Sequence, residues 1–228
     1  MKNTLHKMWL LLLTVMAMVS CSMADFGESP SDATEAVYHE YMAIFTVRQS
    51  AEGVVYFQVN DSTRLYPRAW DVPFAGVGKM IGQITIHNQQ FGNYGYITDV
   101  AWWDTVEKGS VVASAGMGDP VDVLTDWMTS AEDGFLTVHY STRWGARTIG
   151  HTLSLVLSGN PFDPYEVRLV HNRNGDAPDE EGDALVCFDL NGLPDTGGKY
   201  VDLTLKWLDS EGKDAAAKFK YKTRSDPE

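Results

Sequence analysis

The 228-residue chain has only two cysteines, Cys21 and Cys187, which excludes a disulfide framework. A bridge between them is formally open. Cys21, however, has another use, and Cys187 sits in an apolar strand pattern, where a lone thiol is inert packing. Basic side chains are also scarce. Eighteen Lys and Arg against 31 Asp and Glu give a formal net charge of −13. Residues 1–20 hold Lys2 and Lys7 and no acid, so the remainder stands at −15. Such a chain repels phosphate backbones and offers no basic patch to anionic lipid heads, which excludes nucleic acid as a partner. The apolar run from Met8 to Val19 is too short to span a bilayer.

That run has a different use. Lys2, His6 and Lys7 precede it, Leu10 to Leu13 form its centre, and it ends in Met18-Val19-Ser20-Cys21. The arrangement resembles a bacterial lipobox, in which the cysteine becomes a lipidated N-terminus. Ser22 to Thr34 is rich in Ser, Asp, Glu, Gly and Pro and cannot bury much, so it reads as a tether. Asp25 and Glu28 resemble a surface-export signal, although a solvated linker is the simpler reading.

The rest is ordinary globular composition, 44% hydrophobic and 21% charged, and its apolar residues recur with the period of strands. Five short strands are expected at Tyr41–Gln49, Val54–Asn60, Leu65–Pro67, Lys79–Asn88 and Ile97–Asp104, punctuated by Gly and Asn-Asp turns. No long helical pattern interrupts them, which suits a small barrel. Three glycines and a proline between Gly109 and Pro120 mark a boundary. Beyond it, Val121–Met128 fits a short helix or a strand, with strand preferred. Gly134–Leu157 reads as a hairpin turning at Gly145-Ala146-Arg147. Its first strand puts Leu136, Val138, Tyr140 and Trp144 on a core and Thr137, His139, Ser141 and Arg143 toward water. Ile149, His151, Leu153, Leu155 and Leu157 continue the apolar face. Strands at Tyr165–His171, Ala184–Leu190, Val201–Trp207 and Ala217–Tyr221 follow. Lys218, Lys220 and Lys222 on the last suggest a protected edge. The expectation is an all-β protein: leader 1–20, tether 21–35, OB-like barrel 36–116 and antiparallel β-sandwich 117–228.

Several stretches resemble the NigD-like lipoproteins of Gram-negative gut and oral anaerobes. They are the Cys21 start, Val54-Val55-Tyr56-Phe57-Gln58-Val59-Asn60-Asp61, Leu169-Val170-His171-Asn172-Arg173-Asn174-Gly175-Asp176 and Cys187-Phe188-Asp189-Leu190. The resemblance covers most of the chain after the leader. It implies an OB-like domain followed by a β-sandwich, a loose association with bacteriocin immunity, and no defined functional residues.

No catalytic constellation emerges. His39-Glu40 opens like a zinc-protease motif, but Ala43 stands where the second histidine belongs. Gly76-Val77-Gly78 is a turn rather than a dinucleotide loop, and no Gly-x-Ser-x-Gly elbow is present. By alternation His139 lies on a polar face and His151 and His171 on an apolar one, so the three do not converge on one metal. Asp176, Asp179, Glu180, Glu181 and Asp183 form an acidic loop without the spacing of a calcium hand. Neither a metal nor a cofactor is expected.

Seven tryptophans remain. Trp144 and Trp207 read as core. Trp102 and Trp103 are adjacent and point to opposite faces of a strand, so one of them, with Trp70, Tyr94 and Tyr96, could form an exposed ligand-binding platform. Asp61-Ser62-Thr63 and Asp104-Thr105-Val106 resemble short O-glycosylation patterns at Ser62 and Thr105. The function expected is that of a non-enzymatic lipoprotein, anchored to a membrane of the cell envelope, with a binding or protective role toward an unknown protein partner. The alternative is a carbohydrate-binding accessory protein with a glycan partner.

Lipid attachment at Cys21 is directly testable. Each buried methylene contributes about 0.8 kcal/mol, and stable anchoring takes more than one chain. Intact mass spectrometry of the membrane fraction should show acyl chains on a mature N-terminal cysteine, and Cys21→Ser should abolish them. A mature protein without acyl mass that washes off in high salt would leave Cys21 as part of an ordinary secretory leader.

Overall fold

The computed structural model describes residues 39–224 apart from 73, 93, 94 and 147. Cys21, the tether and Tyr94 lie outside the described residues. The described residues form one compact unit.

The first part is a closed barrel of β1 (His39–Gln49), β2 (Val55–Gln58), β3 (Arg64–Pro67), β4 (Gly78–Phe91) and β5 (Gly95–Thr105). The strand order is β1-β2-β3-β5-β4, with β3 and β5 parallel and the other neighbours antiparallel. This is the order of an OB barrel. Closure follows from the alternating pattern. Phe45 and Val47 of β1 meet Phe57, Leu65 and Ile84 in a small core, and the Phe45 and Phe57 rings stack at 4.3 Å. One irregularity shapes the surface. Gln83 pairs with Trp102 while Ile84 pairs with Val100, leaving Ala101 as an extra residue. Such a bulge shifts the alternation by one.

The second part is a sandwich. One sheet has the order β6 (Glu107–Lys108), β13 (Glu180–Asp189), β10 (Phe135–Trp144), β8 (Asp122–Leu124), with β9 (Ser130–Glu132) also on β10. The other runs β15 (Asp214–Tyr221), β14 (Val201–Leu208), β12 (Glu166–Asn172), β11 (Thr152–Leu157), β7 (Ser110–Val112). Leu136, Val138 and Phe188 of the first sheet pack against Leu155, Leu169, Leu203 and Leu205 of the second. The lysine-bearing β15 pairs with β14 alone and is an edge.

Four expectations change. Gly134–Leu157 is not a hairpin: β10 pairs with β13, β8 and β9, while β11 pairs with β12 and β7. Alternation marks a strand but not its partner, and the connection after Trp144 carries the chain from one sheet to the other. The second face of β10 does not look to water either, since Thr137, His139 and Ser141 are all buried. The continuous strand expected over Val121–Met128 is confined to Asp122–Leu124, after which Asp126–Thr129 turns. Finally, β6 precedes the Gly109–Pro120 stretch and β7 lies within it, yet both add to the sandwich sheets. They do so in parallel register, as β14 does on β12, so the sandwich is mixed rather than wholly antiparallel.

Leu155 is fully buried and Trp207 nearly so. Leu155→Ala should destabilise the protein by roughly 2–5 kcal/mol and Trp207→Ala by roughly 3–5 kcal/mol. Thermal melts of both variants check this. Unchanged midpoints would put these side chains on the wrong face.

Candidate functional site

The barrel meets the sandwich through residues of β1 and β4 and the turn between β9 and β10. Asp133-Gly134 links β9 to β10 as a two-residue turn with both residues at positive φ (51° and 73°). This is the backbone that Asp-Gly favours in a tight hairpin. A Cβ at Gly134 would sit 2.6 Å from Cβ of Arg224, so glycine is also a packing requirement there. The turn delivers the buried Asp133 carboxylate to Arg48 of β1, whose Nη1 donates at 2.9 Å. Asp133 N–H donates to the Asp61 carboxylate at 3.1 Å, and Asp61 N–H donates to Glu132 at 3.3 Å. Lys79 of β4 is buried above the Phe135 ring, 5.8 Å from its centroid. Burial holds the Lys79 ammonium below the ordinary lysine value, with Asp133 and Glu132 pulling the other way. Burial raises the Asp133 carboxyl, against Arg48 and Lys79. The Asp-Gly dipeptide at 133–134 is a turn signal legible in the sequence.

Away from this junction the barrel wall opens row by row. Directly paired residues share a face. On the outside of β1, β4 and β5, Thr46 and Lys79 form a buried row beside the sandwich. Next come Ile44, Ile81 and Asp104. Then Met42, Gln83 and Trp102 align, with Met42 44% and Trp102 45% exposed. Glu40, Thr85 and Asp99 form the last row. Gln83 donates to Glu40 at 3.1 Å, and Asp99 is engaged by His87 at 2.7 Å and Arg68 at 3.6 Å.

Trp103 lies on the other face of β5, opposite Gly82. A Cβ at Gly82 would come within 2.6 Å of the Trp102 carbonyl oxygen and 3.3 Å of Trp103 Cβ, so only glycine admits this approach. Trp103 meets Trp70 at 5.3 Å, and Trp70 meets Phe57 edge-on at 4.9 Å. Tyr96 packs against the barrel core. Of the two adjacent tryptophans, Trp103, 38% exposed, is thus the one that joins Trp70, while Trp102 stands on the other face of β5 with Met42. Ser62 and Thr105 are both exposed. Asn60 Oδ1 accepts from Ser62 N–H and Oγ–H, and Asp104 accepts from Thr105 N–H.

The sandwich carries two polar constellations. His139 sits between Asp126 (2.7 Å) and Asp183 (3.0 Å). Burial works to lower its pKa, but the bonds to Asp183 and Asp126 outweigh that and raise it above 6.5. In the second constellation His151 and His171, which alternation places on one face, meet. His151 Nδ1 and His171 Nε2 are 3.0 Å apart, His151 Nε2 is 3.1 Å from Asp176, and His171 Nδ1 is 3.0 Å from the Pro120 carbonyl. Asp176 also accepts Gly145 and Ala146 N–H at 2.8 Å each; these bonds lower its pKa to about 2, so it is a carboxylate. Both ends of the chain only accept. Burial lowers the His171 pKa. The chain Asp176–His151–His171–Pro120 ties together the connections between the two sheets.

The acids expected as one loop are dispersed. Asp176 turns inward, Arg143 donates to the Asp179 carbonyl, Ser141 donates to Glu181 at 3.1 Å, and Glu180–Asp183 already belong to β13. Among the described residues no group of three His, Cys, Asp or Glu side chains is placed to hold a metal ion.

An all-β protein of barrel plus sandwich, with an exposed aromatic face and buried polar clusters, is the class that this geometry defines. Residues 107–221 match the NigD-like C-terminal beta sandwich domain, and the chain belongs to the NigD-like family. The match starts at β6, where the sandwich starts. A crystal structure from Parabacteroides distasonis, described as a toxin-related protein, is 27% identical, with 81% of this chain and 94% of that one covered at a TM-score of 0.66. A NigD-like immunity protein from Bacteroides caccae (15% identity, 78% and 91% covered, TM-score 0.53) shares the fold. So does a protein from Bacteroides fragilis described as a lipoprotein (12%, 82% and 100%, 0.53). No curated protein matches the chain.

The two constellations give stability opposite pH flanks. The raised His139 pKa stabilises fully below 6.5, and this is lost as pH rises through the folded value. The lowered Asp176 pKa stabilises above the ordinary 3.8, and this is lost as pH falls toward about 2. A histidine titration by NMR should place His139 above 6.5, with Asp126→Asn bringing it down. Titration of His139 below 6.5 in the parent protein would contradict the assignment.

Proposed function

We propose that the protein is a non-enzymatic, lipid-anchored protective protein of the cell envelope, acting in the manner of an immunity protein by binding. Membership of the NigD-like family carries the reading, together with the 27% likeness to a protein described as toxin related. The lipobox-like Met18-Val19-Ser20-Cys21 and the likeness to a protein described as a lipoprotein support a place at the envelope. The chemistry of the described residues agrees with a binding role. His139 is engaged by Asp126 and Asp183, His151 by Asp176 and His87 by Asp99, while Met42, Trp102 and Trp103 are exposed on the barrel. A binding protein needs such a surface and no reactive group.

The role is tested on cells. A strain lacking the gene should survive challenge by toxin-producing neighbours less well than its parent. The intact gene should restore survival, and Cys21→Ser should not. Equal survival of parent and deletion strain across such challenges would remove the protective reading.

A further inference from the structure

We infer that the outer face of β1, β4 and β5 binds a basic, amphipathic polypeptide segment; this rests on the binding role proposed above and specifies its partner. Among the described residues the face is an unpartnered stretch of sheet, continuous with the buried junction. At its centre are Met42 and Trp102, nearly half exposed, in one cross-strand row with Gln83. Carboxylates bracket that row: Asp104 one row toward the sandwich and Glu40 one row away from it. Adjacent rows are separated by two residues along a strand, roughly 6–7 Å. That is close to the ~5.4 Å pitch that separates neighbouring side chains on one side of a helix. Neither Glu40 nor Asp104 has an ion pair with a described residue, whereas Asp99 is already engaged by His87 and Arg68.

Chemistry narrows the occupant. The strands belong to a closed barrel, so no edge is open for an added strand, and recognition must run through side chains. An indole face beside uncompensated carboxylates attracts Lys or Arg both by its quadrupole and by charge. Met42 is an adaptable apolar contact for the other side of such a segment. The chain's own tether is the wrong occupant, because Asp25, Glu28 and Asp32 would be brought against Glu40 and Asp104. The overall charge of −13 repels acidic partners and steers basic ones.

The test uses the full chain in phosphatidylcholine nanodiscs, with empty nanodiscs as the blank. The probes are a Lys/Leu amphipathic peptide and its counterpart with Glu in place of each Lys. The basic peptide should bind, more weakly as salt rises, and the acidic one should not. Trp102→Ala should weaken binding about tenfold or more, the loss typical of a central aromatic anchor. Glu40→Lys with Asp104→Lys should weaken it further. Both variants should melt like the parent, since these side chains stand outside the core. Phe162→Ala, at a 96% exposed turn position of the sandwich, should bind like the parent. The inference is overturned if the basic peptide does not bind, if both peptides bind alike, or if the Trp102 and charge-reversal variants bind as the parent does. Cell challenge separates this from the protective reading. If deletion costs protection but the face variants bind and protect normally, the surface is wrong and the role stands. If deletion costs nothing while the variants lose the peptide, the surface stands and the role is wrong.

Discussion

Barrel and sandwich are joined by charges taken out of water. Arg48, Lys79 and Asp133 are each 3% exposed, and they come from β1, β4 and the turn between β9 and β10. A buried ion pair rarely adds net stability over a well-packed apolar contact, but removing one member leaves an uncompensated charge and costs about 3–5 kcal/mol. Such an arrangement specifies geometry. An apolar contact would tolerate sliding, whereas the Asp133 carboxylate, 2.9 Å from the Arg48 guanidinium, does not, and the Asp133 N–H is anchored on Asp61. The orientation of the exposed barrel wall depends on this contact, because the Met42–Trp102 row begins where the buried rows end.

The strands themselves were legible. Five in the barrel were readable from period-2 alternation and turn residues, and the inward faces of Leu155, Leu203 and Trp207 follow from the same rule. Pairing was not legible. β10 and β11 are adjacent in sequence and alternate in phase, yet they enter opposite sheets, because nothing local in a strand names its hydrogen-bonding partner. The bulge at Ala101 was equally silent. It changes the face of Trp102 relative to Val100, and only the paired strand reveals it. The polar faces failed for a different reason. Thr137 and His139 look solvent-directed by alternation, but both are buried, and His139 lies under the 126–129 turn, bonded to Asp126 and Thr129. Asp133-Gly134 carried a recognisable turn signature, whereas its pairing with Arg48, 85 residues away, left no trace in either neighbourhood.

The histidines illustrate the same limit. Alternation correctly separated His139 from His151 and His171, and hydrogen bonding then gave each a structural task. One ties the 126–129 turn to β13. The other two, with Asp176, brace the crossing between sheets. Their acids are engaged in these bonds, whereas Glu40 and Asp104, beside Trp102 and Met42 on the barrel's outer wall, have no ion pair with a described residue.

The central claim is that the buried charges at Arg48, Lys79 and Asp133 make barrel and sandwich one cooperative body. Differential scanning calorimetry of the full chain tests it most directly, compared with Asp133→Ala and followed in parallel by tryptophan fluorescence. The account predicts a single transition for the parent. In the variant, an earlier barrel transition should split from that of the sandwich. Two transitions in the parent, or a single unshifted transition in Asp133→Ala, would contradict it.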